Sequence, residues 1–402
     1  MKPAESKPVP TPEQKAAMDG LLKALSGRSG KPIALFLGAG ASKTFGYPLT
    51  RELMMEIFEG LHNRRFLNRL PPKAKKGTPT PGDELLDFLS RLLPGERMTQ
   101  ETMPMVTGVL SLLDFALGTG QVLLPGSTIE YTRRMRRLLE RALLEVIPDR
   151  AMWRRSEQRK QAYYTWALRW LRGLLSRRPP GGVAIITTNY DMMSDLLAME
   201  AVKVRRDRRG WNIESAAKEV DFGFRWVHPY VLSKEKVFSR PERPKIVLFK
   251  LHGSTNWLRC PLCENIYINP RGPISLIAAD ESRYWDNECH CSGTQLEAQI
   301  VSPSFIRGMH EPNLIATWKN ALDFLREADH WLMIGYSFPD EDVAIRALMT
   351  RAYGAKKAHH PMVSVVQWDE KARVNYESFF PPGTVRYLTG GFDLFLERVK
   401  AQ

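Results

Sequence analysis

Four cysteines, Cys260, Cys263, Cys289 and Cys291, stand in two close pairs, CPLC and CHC, with twenty-five residues between the pairs. Cysteines grouped this way suit a tetrahedral Zn2+ held by thiolates better than disulfides. The second pair is tighter than the usual CxxC and leaves room for His290 to replace one sulfur; four buried free thiols are the plainer alternative. Two further sites follow apolar runs. Gly38-Ala39-Gly40-Ala41-Ser42 comes after KPIALFL, where a small-residue turn lets backbone N–H groups approach a pyrophosphate at a helix start. A turn chosen only for packing gives the same pattern. Thr187-Thr188-Asn189-Tyr190-Asp191 follows VAII, and either functional side chains at a sheet edge or a local Asn/Asp turn explains it. His252 stands in KLHGS after IVLFK, next to Gly253, where an imidazole can take a proton near neutral pH; a lone histidine is more often structural.

The elements that must position these groups read as short buried strands alternating with helices. Strands are expected at residues 31–37, 183–187, 246–250, 300–301, 331–334 and 363–366, and a helix through Leu53, Met54, Ile57, Phe58 and Leu61. That alternation predicts an α/β fold, a Rossmann-like doubly wound parallel sheet, with a helical insertion and a small zinc-ribbon module. The expected organisation is an N-terminal extension over 1–30 and a nucleotide-binding domain from 31–63, 180–257 and 296–402. A basic helical insertion occupies 64–179, and the zinc module 258–295.

The 402-residue chain is 43% hydrophobic and 25% charged, ordinary for a globular protein. It has no apolar run long enough for a membrane span and no secretory-type leader, so a cytoplasmic location with no membrane association is expected. The net charge is +14, and fourteen Arg or Lys against four acidic residues between Tyr131 and Pro180 carry +10 of it. There Tyr163, Tyr164, Trp166 and Trp170 interleave with Arg154, Arg155, Arg159, Arg169 and Arg172. Direct nucleic-acid binding by phosphate contact and base stacking is one reading; aromatics facing a core with arginines in solvent is the other, and the plainer.

In this order the motifs resemble the sirtuin superfamily: GAGAS-KTF-GYPLTR from Gly38 to Arg51, TTNYD, HGS, the cysteines, Gly335-Tyr336-Ser337, and Gln367 to Asp369. The resemblance implies NAD as substrate and a structural Zn2+. By position, Gly38, Ala39, Gly40 and Ser42 would cradle the NAD phosphates, with Arg51 matching the last residue of the family's loop. Asn189 would hold the nicotinamide ribose and the attacking group, Asp191 would grip the carboxamide, and His252 would be the general base. Ser337, in the loop opened by Gly335, and Gln367 would line the adenosine side.

Departures from the family pattern point away from its deacylases. Leu49 and Thr50 stand where the family has Asp-Phe, which opens the reactive sugar carbon to water. Thr188 replaces a Gln, and IVSPSF (300–305) replaces the strand that pairs with the acyl-lysine peptide, where Pro303 cannot donate a ladder bond. KLHGS, TTNYD and GYSFPD resemble the sirtuin-like NAD hydrolase branch found in bacterial anti-phage defence. That implies cleavage of NAD to nicotinamide and ADP-ribose, a homo-oligomer, and a second defence protein that senses infection, a DNA-translocating ATPase or an Argonaute-like protein. The alternatives are an NAD-dependent protein deacylase and a non-catalytic subunit that binds NAD or ADP-ribose.

Overall fold

The computed structural model describes residues 10–27, 30–68, 75, 77–93, 103–149, 157–207, 210–228, 237–270, 272–275, 289, 291, 295–300, 311–355 and 359–402. Its strands are numbered in chain order. The main sheet holds β1 (Ile33–Leu37), β2 (Val183–Thr187), β5 (Val220–Asp221), β8 (Ile246–Lys250), β12 (His330–Ile334), β13 (Met362–Val366) and β14 (Val385–Leu388). They lie in the order β14-β13-β12-β1-β2-β8-β5, and every pairing is parallel. β1, β2 and β8 are buried along their whole length, which is why they read as unbroken apolar runs. Alternate residues feed two cores: Ile33, Leu35 and Leu37 face one, Ala34 and Phe36 the other. Both faces are covered, so the sheet is doubly wound and Rossmann-like, as the alternation of strands and helices predicts.

From β1 the chain runs outward to β2 and the edge strand β5, turns back to β8 between them, then crosses to β12 on the other side of β1 and continues to β13 and β14. The direction reverses between β1 and β12, the position at which open α/β sheets bind ligands. The strand ends are level there. Leu37 is in register with both Thr187 and Ile334, Thr187 with Lys250, and Ile334 with Val366. One edge therefore presents Gly38, Thr188, Leu251, Gly335 and Gln367 side by side.

A second sheet of β6 (Trp226–Val227), β7 (Val237–Phe238), β9 (Gly253–Arg259), β10 (Ile266–Ile268) and β11 (Glu297–Ile300) has the order β11-β9-β10-β6-β7. β3 (Arg206–Asp207) pairs antiparallel with β4 (Gly210–Trp211). The sequence pattern does not announce β9, whose GSTNWLR is polar in its first half although its first six residues are all buried. It starts at Gly253 and runs across the boundary drawn at 257/258. The strand expected at 300–301 is β11, ending at Ile300; Val301, Pro303 and the rest of IVSPSF lie outside the described residues, as does His290.

The helices Pro81–Leu92, Val106–Thr119, Ile129–Asp149 and Gln158–Leu175 occupy the stretch read as helical. Thr80 caps the first: its hydroxyl accepts the Asp83 N–H while the Asp83 carboxylate accepts the Thr80 N–H. No helix among the described residues is long and apolar enough to cross a membrane.

His330, at the start of β12, shares a 2.9 Å hydrogen bond between Nε2 and Ser364 Oγ. Burial, with help from Arg178 and Arg386, pushes its pKa down to about 4 from the ordinary 6.5. The unfolded chain binds this proton more readily, so the neutral ring's contribution is complete above about pH 6.5 and is lost as pH falls toward 4. Unfolding followed from pH 7 to 4 should show a loss on the order of 2–3 kcal/mol from this group. His330→Gln should remove that part of the pH dependence; an unchanged slope would refute it.

Candidate functional site

The two loops at the switch point touch. Gly38 N–H donates to Ile334 O at 2.9 Å, Gly40 N–H to Gly335 O at 2.8 Å, and Ala41 N–H to Gly38 O at 3.0 Å. Gly335 has φ +63°, and a Cβ there would lie 2.1 Å from Ala41 N; one on Gly38 would lie 2.5 Å from Gly335 O. These glycines are required because one backbone passes directly over another. Of the residues expected to cradle phosphates, Gly38 and Gly40 have their amides bonded within the protein, as does the neighbouring Ala41. Gly335→Ala should cost about 2 kcal/mol or more through the left-handed backbone and the clash. Thermal unfolding reads the cost directly, and a midpoint within a degree of wild type would contradict it.

Behind this contact a hydrogen-bonded chain joins three expected site residues. Asn189 Nδ2 donates to Gly38 O at 2.9 Å and to Ser42 Oγ at 3.0 Å. Ser42 Oγ donates to Asp191 Oδ2 at 2.8 Å, and Asp191 Oδ1 accepts the Met193 N–H at 2.8 Å. The backbone carbonyl of Gly38 can only accept, so the NH2 side of Asn189 must face it, and Asn189 Oδ1 is left as the acceptor. Thr187 Oγ1 fixes the turn, donating to Leu37 O and accepting the Asn189 N–H. Burial pushes the Asp191 carboxyl above its usual range, opposed by Lys250 and by the bonds from Ser42 and Met193. Ser42, Asn189, Asp191 and Thr187 line a cleft walled by Leu37, Phe45 and Phe392. Even counting the open space at its mouth, the cleft holds about 260 Å³. Cofactor sites typically hold about 300–1,000 Å³, so the cleft as it stands is smaller than a dinucleotide site.

His252 follows β8 and is buried, its ring 6.2 Å from Tyr190 and 6.3 Å from Trp318 between centroids. Tyr190 belongs to the Asn189 loop, and its carbonyl accepts Thr255 N–H at 3.0 Å, which ties that loop to the start of β9. Beneath both lies a charge pair to which the motifs assign no role. Lys250 is fully buried, and its Nζ donates to Asp195 Oδ2 at 2.7 Å, Asp191 O at 2.5 Å and Ser254 Oγ at 2.6 Å. A buried lysine at a strand end was the available signal, since Lys250 closes an otherwise apolar strand.

The expected adenosine-side residues divide. Gln367 Nε2 and the buried Tyr376 hydroxyl both donate to Tyr336 O, and Asn375 Nδ2 donates to Ser337 O at 2.9 Å. Gln367 therefore braces the 335–337 loop, while the Ser337 side chain is exposed. Arg51 lies exposed on the short helix Thr50–Glu52, as does Thr50.

The four cysteine sulfurs lie within 4.8 Å of one another, with Cys260–Cys291 at 3.7 Å and Cys263–Cys289 at 3.4 Å. Zinc–sulfur bonds of about 2.3 Å in a tetrahedron put sulfurs about 3.8 Å apart, so the set fits one such ion. The N–H groups of Leu262 and Cys263 point at Cys260 Sγ, and the Tyr267 hydroxyl at Cys289 Sγ, as donors to thiolates should. Burial pushes the Cys263 thiol up to about 12 and raises Cys289 as well, so without a cation these thiols hold their protons at neutral pH.

On the basic helices several of the described charges have partners. Arg134 pairs with Glu84, Arg136 with Asp114 and Glu140, Arg141 with Glu145, and Arg159 with Tyr163 and Glu397. Tyr163 and Tyr164 are buried, and Trp170 meets Phe395 edge to face at 4.9 Å. Arg154 and Arg155 lie outside the described residues. The aromatics serve the core.

Residues 183–379 match the family model of the SIR2-like domain. Similar solved structures include a Sir2 enzyme studied for mechanism and regulation, 15% identical with a TM-score of 0.38, covering 96% of this chain and 97% of that one. A sirtuin studied for substrate affinity is 13% identical with a TM-score of 0.41, covering 95% and 97%. A mutant Sir2 homologue in complex with ADP-ribose is 14% identical with a TM-score of 0.38, covering 95% and 96%. No curated protein matches the sequence.

Proposed function

We propose that this chain, whose residues 183–379 carry a SIR2-like domain, cleaves NAD between ribose and nicotinamide and passes the ribosyl group to water. The domain match supports NAD-dependent, sirtuin-type chemistry. The observation that carries the hydrolytic reading is the Asn189–Ser42–Asp191 chain at the switch point, which fixes the Asn189 amide with Oδ1 as its acceptor. An acceptor so held can take one hydrogen of a water and aim its lone pair at the anomeric carbon. The bond breaks with nicotinamide leaving as a neutral molecule, and the positive charge that develops on the ribose favours nearby oxygens. Water adds to that carbon and loses a proton. His252 would accept that proton, relayed through a ribose hydroxyl. Exposed Thr50, standing where the resembling family has Phe, leaves the approach open.

A second reading, NAD-dependent deacylation, is favoured by one observation: β11 is an edge strand, on which an extended peptide can add. Release of nicotinamide from NAD by the purified protein, without acyl peptide, tests the proposal. Release only with an acyl-lysine peptide would overturn it in favour of deacylation. Tight ADP-ribose binding with no release in either case would favour a non-catalytic subunit. The KLHGS, TTNYD and GYSFPD variants support placing the activity in anti-phage defence, as a homo-oligomeric NAD-depleting effector beside a sensing protein, a DNA-translocating ATPase or an Argonaute-like partner. Zn2+ in the cysteine set would be structural. Exposed Arg169 and Arg172 on the helix Gln158–Leu175 are what would support direct nucleic-acid binding.

A further inference from the structure

An ammonium group has three N–H donors and no acceptor. The Lys250 ammonium uses all three, on acceptors from three different segments: Asp191 O in the loop after β2, Asp195 Oδ2 on the helix Met193–Ala201, and Ser254 Oγ on β9. Lys250 itself ends β8. The second oxygen of Asp195 accepts Asn256 Nδ2 at 3.2 Å, and the same amide also reaches Asn269 O. Both members of the ion pair are buried, at 0% and 1% side-chain exposure.

Two routes lead from this ammonium to the reacting groups. Through Asp191 it reaches Ser42 and then Asn189. Along its own chain it reaches His252, two residues on, with Ser254 pinned on the far side. Charge pairs buried this deeply add little net stability over a well-packed apolar pair of the same volume. Three directed bonds to three segments give something an apolar pair cannot, a fixed register between them.

We propose that Lys250, with Asp195 as its counter-ion, is a positioning residue that holds the Asn189 loop and the His252 segment in one register for NAD cleavage. The assignment rests on the NAD-cleaving reading above. Removing one charge strands the other, so single variants are expected to unfold easily. The informative protein is the double variant Lys250→Met with Asp195→Leu, which removes both charges at similar volume. It is expected to fold with a thermal midpoint near wild type and to lose about 10²-fold in kcat, the scale of a misplacement of about 1 Å. KM for NAD should move less than about threefold, because the phosphate and adenosine contacts lie elsewhere. Unchanged kcat in the folded double variant would overturn the proposal. Ser254→Ala, which removes one acceptor and keeps both charges, gives a second measure should the double variant not fold; its kcat should fall and its KM hold, and wild-type kcat would count against the proposal.

Hydrogen exchange separates this idea from the reaction it serves. In the double variant, or in Ser254→Ala should that be the folded one, the amides of 188–192 and 252–255 should exchange faster while those of β1 and β12 do not. Should wild type release no nicotinamide, the NAD-cleaving reading fails, and the exchange pattern alone decides whether Lys250 holds the two segments together; unchanged exchange there would refute it.

Discussion

Asn189→Ala is expected to lower nicotinamide release from NAD by about 10³-fold with the fold intact, the scale seen when one positioned polar group is removed from a reaction centre. The structural cost should be small. The variant loses the bonds to Gly38 O and Ser42 Oγ, about 1–2 kcal/mol in total, and Ser42 keeps its bond to Asp191. NAD affinity should change little, since in the proposed reaction the amide would hold a water and one sugar and the other contacts to the dinucleotide would remain. Steady-state release measured beside calorimetric melting checks both halves. Wild-type turnover in a well-folded variant would remove Asn189 from the chemistry and with it the proposed role of its Oδ1.

The second large effect is expected at the cysteines. Val227, Leu258, Tyr267, Ile274 and Leu296 pack around Cys260 and Cys289 in a core separate from the two beside the main sheet. That core is small, and a divalent ion bound by four thiolates would be its chief support; zinc in small peptides binds with about 10–16 kcal/mol at neutral pH. Cys260→Ser, or exhaustive chelation, should abolish metal content measured by elemental analysis. It should also lower the melting midpoint by about 4–5 °C, as a loss on the order of 3–4 kcal/mol does in a chain of 402 residues. Because β9 also carries Ser254 and Asn256, the loss should reach the cleft and lower turnover too. A variant with wild-type melting and no metal in either protein would show that the four thiols act as ordinary apolar side chains.

Features set by local pattern were legible in the sequence. β1, β2 and β8 announce themselves because a strand buried on both faces must be apolar throughout, and the glycine turn after β1 because close backbone approach forbids a Cβ. The cysteine pairs are legible for the same reason: their spacing is short. Features that depend on partners far apart in the chain stayed hidden. Lys250 and Asp195 are fifty-five positions apart, and either alone reads as a solvated charge. β9 was missed because its buried Ser254 and Asn256 look like loop residues until Lys250 and Asp195 are seen to satisfy them. Gln367, expected to line the adenosine side, also donates to Tyr336 O and braces a loop, a bond that its sequence position does not announce. Burial of a polar group is a statement about its partner, and periodicity carries no information on partners.

The bonds of Gly38 and Gly40 across the switch point set a threshold for the ligand. A phosphate that takes these amides must first displace carbonyl oxygens that already satisfy them, so binding exchanges one set of hydrogen bonds for another. Apparent affinity then scales with the fraction of molecules whose loops stand apart: a conformer populated at about one in a hundred weakens the apparent Kd about a hundredfold. Any contact that favours the parted form raises affinity by the same factor without touching the ligand. Phe45, which lines the cleft, rests edge-on against Tyr164 of the helix Gln158–Leu175 at 6.4 Å, so a shift of that helix would move one wall of the cleft.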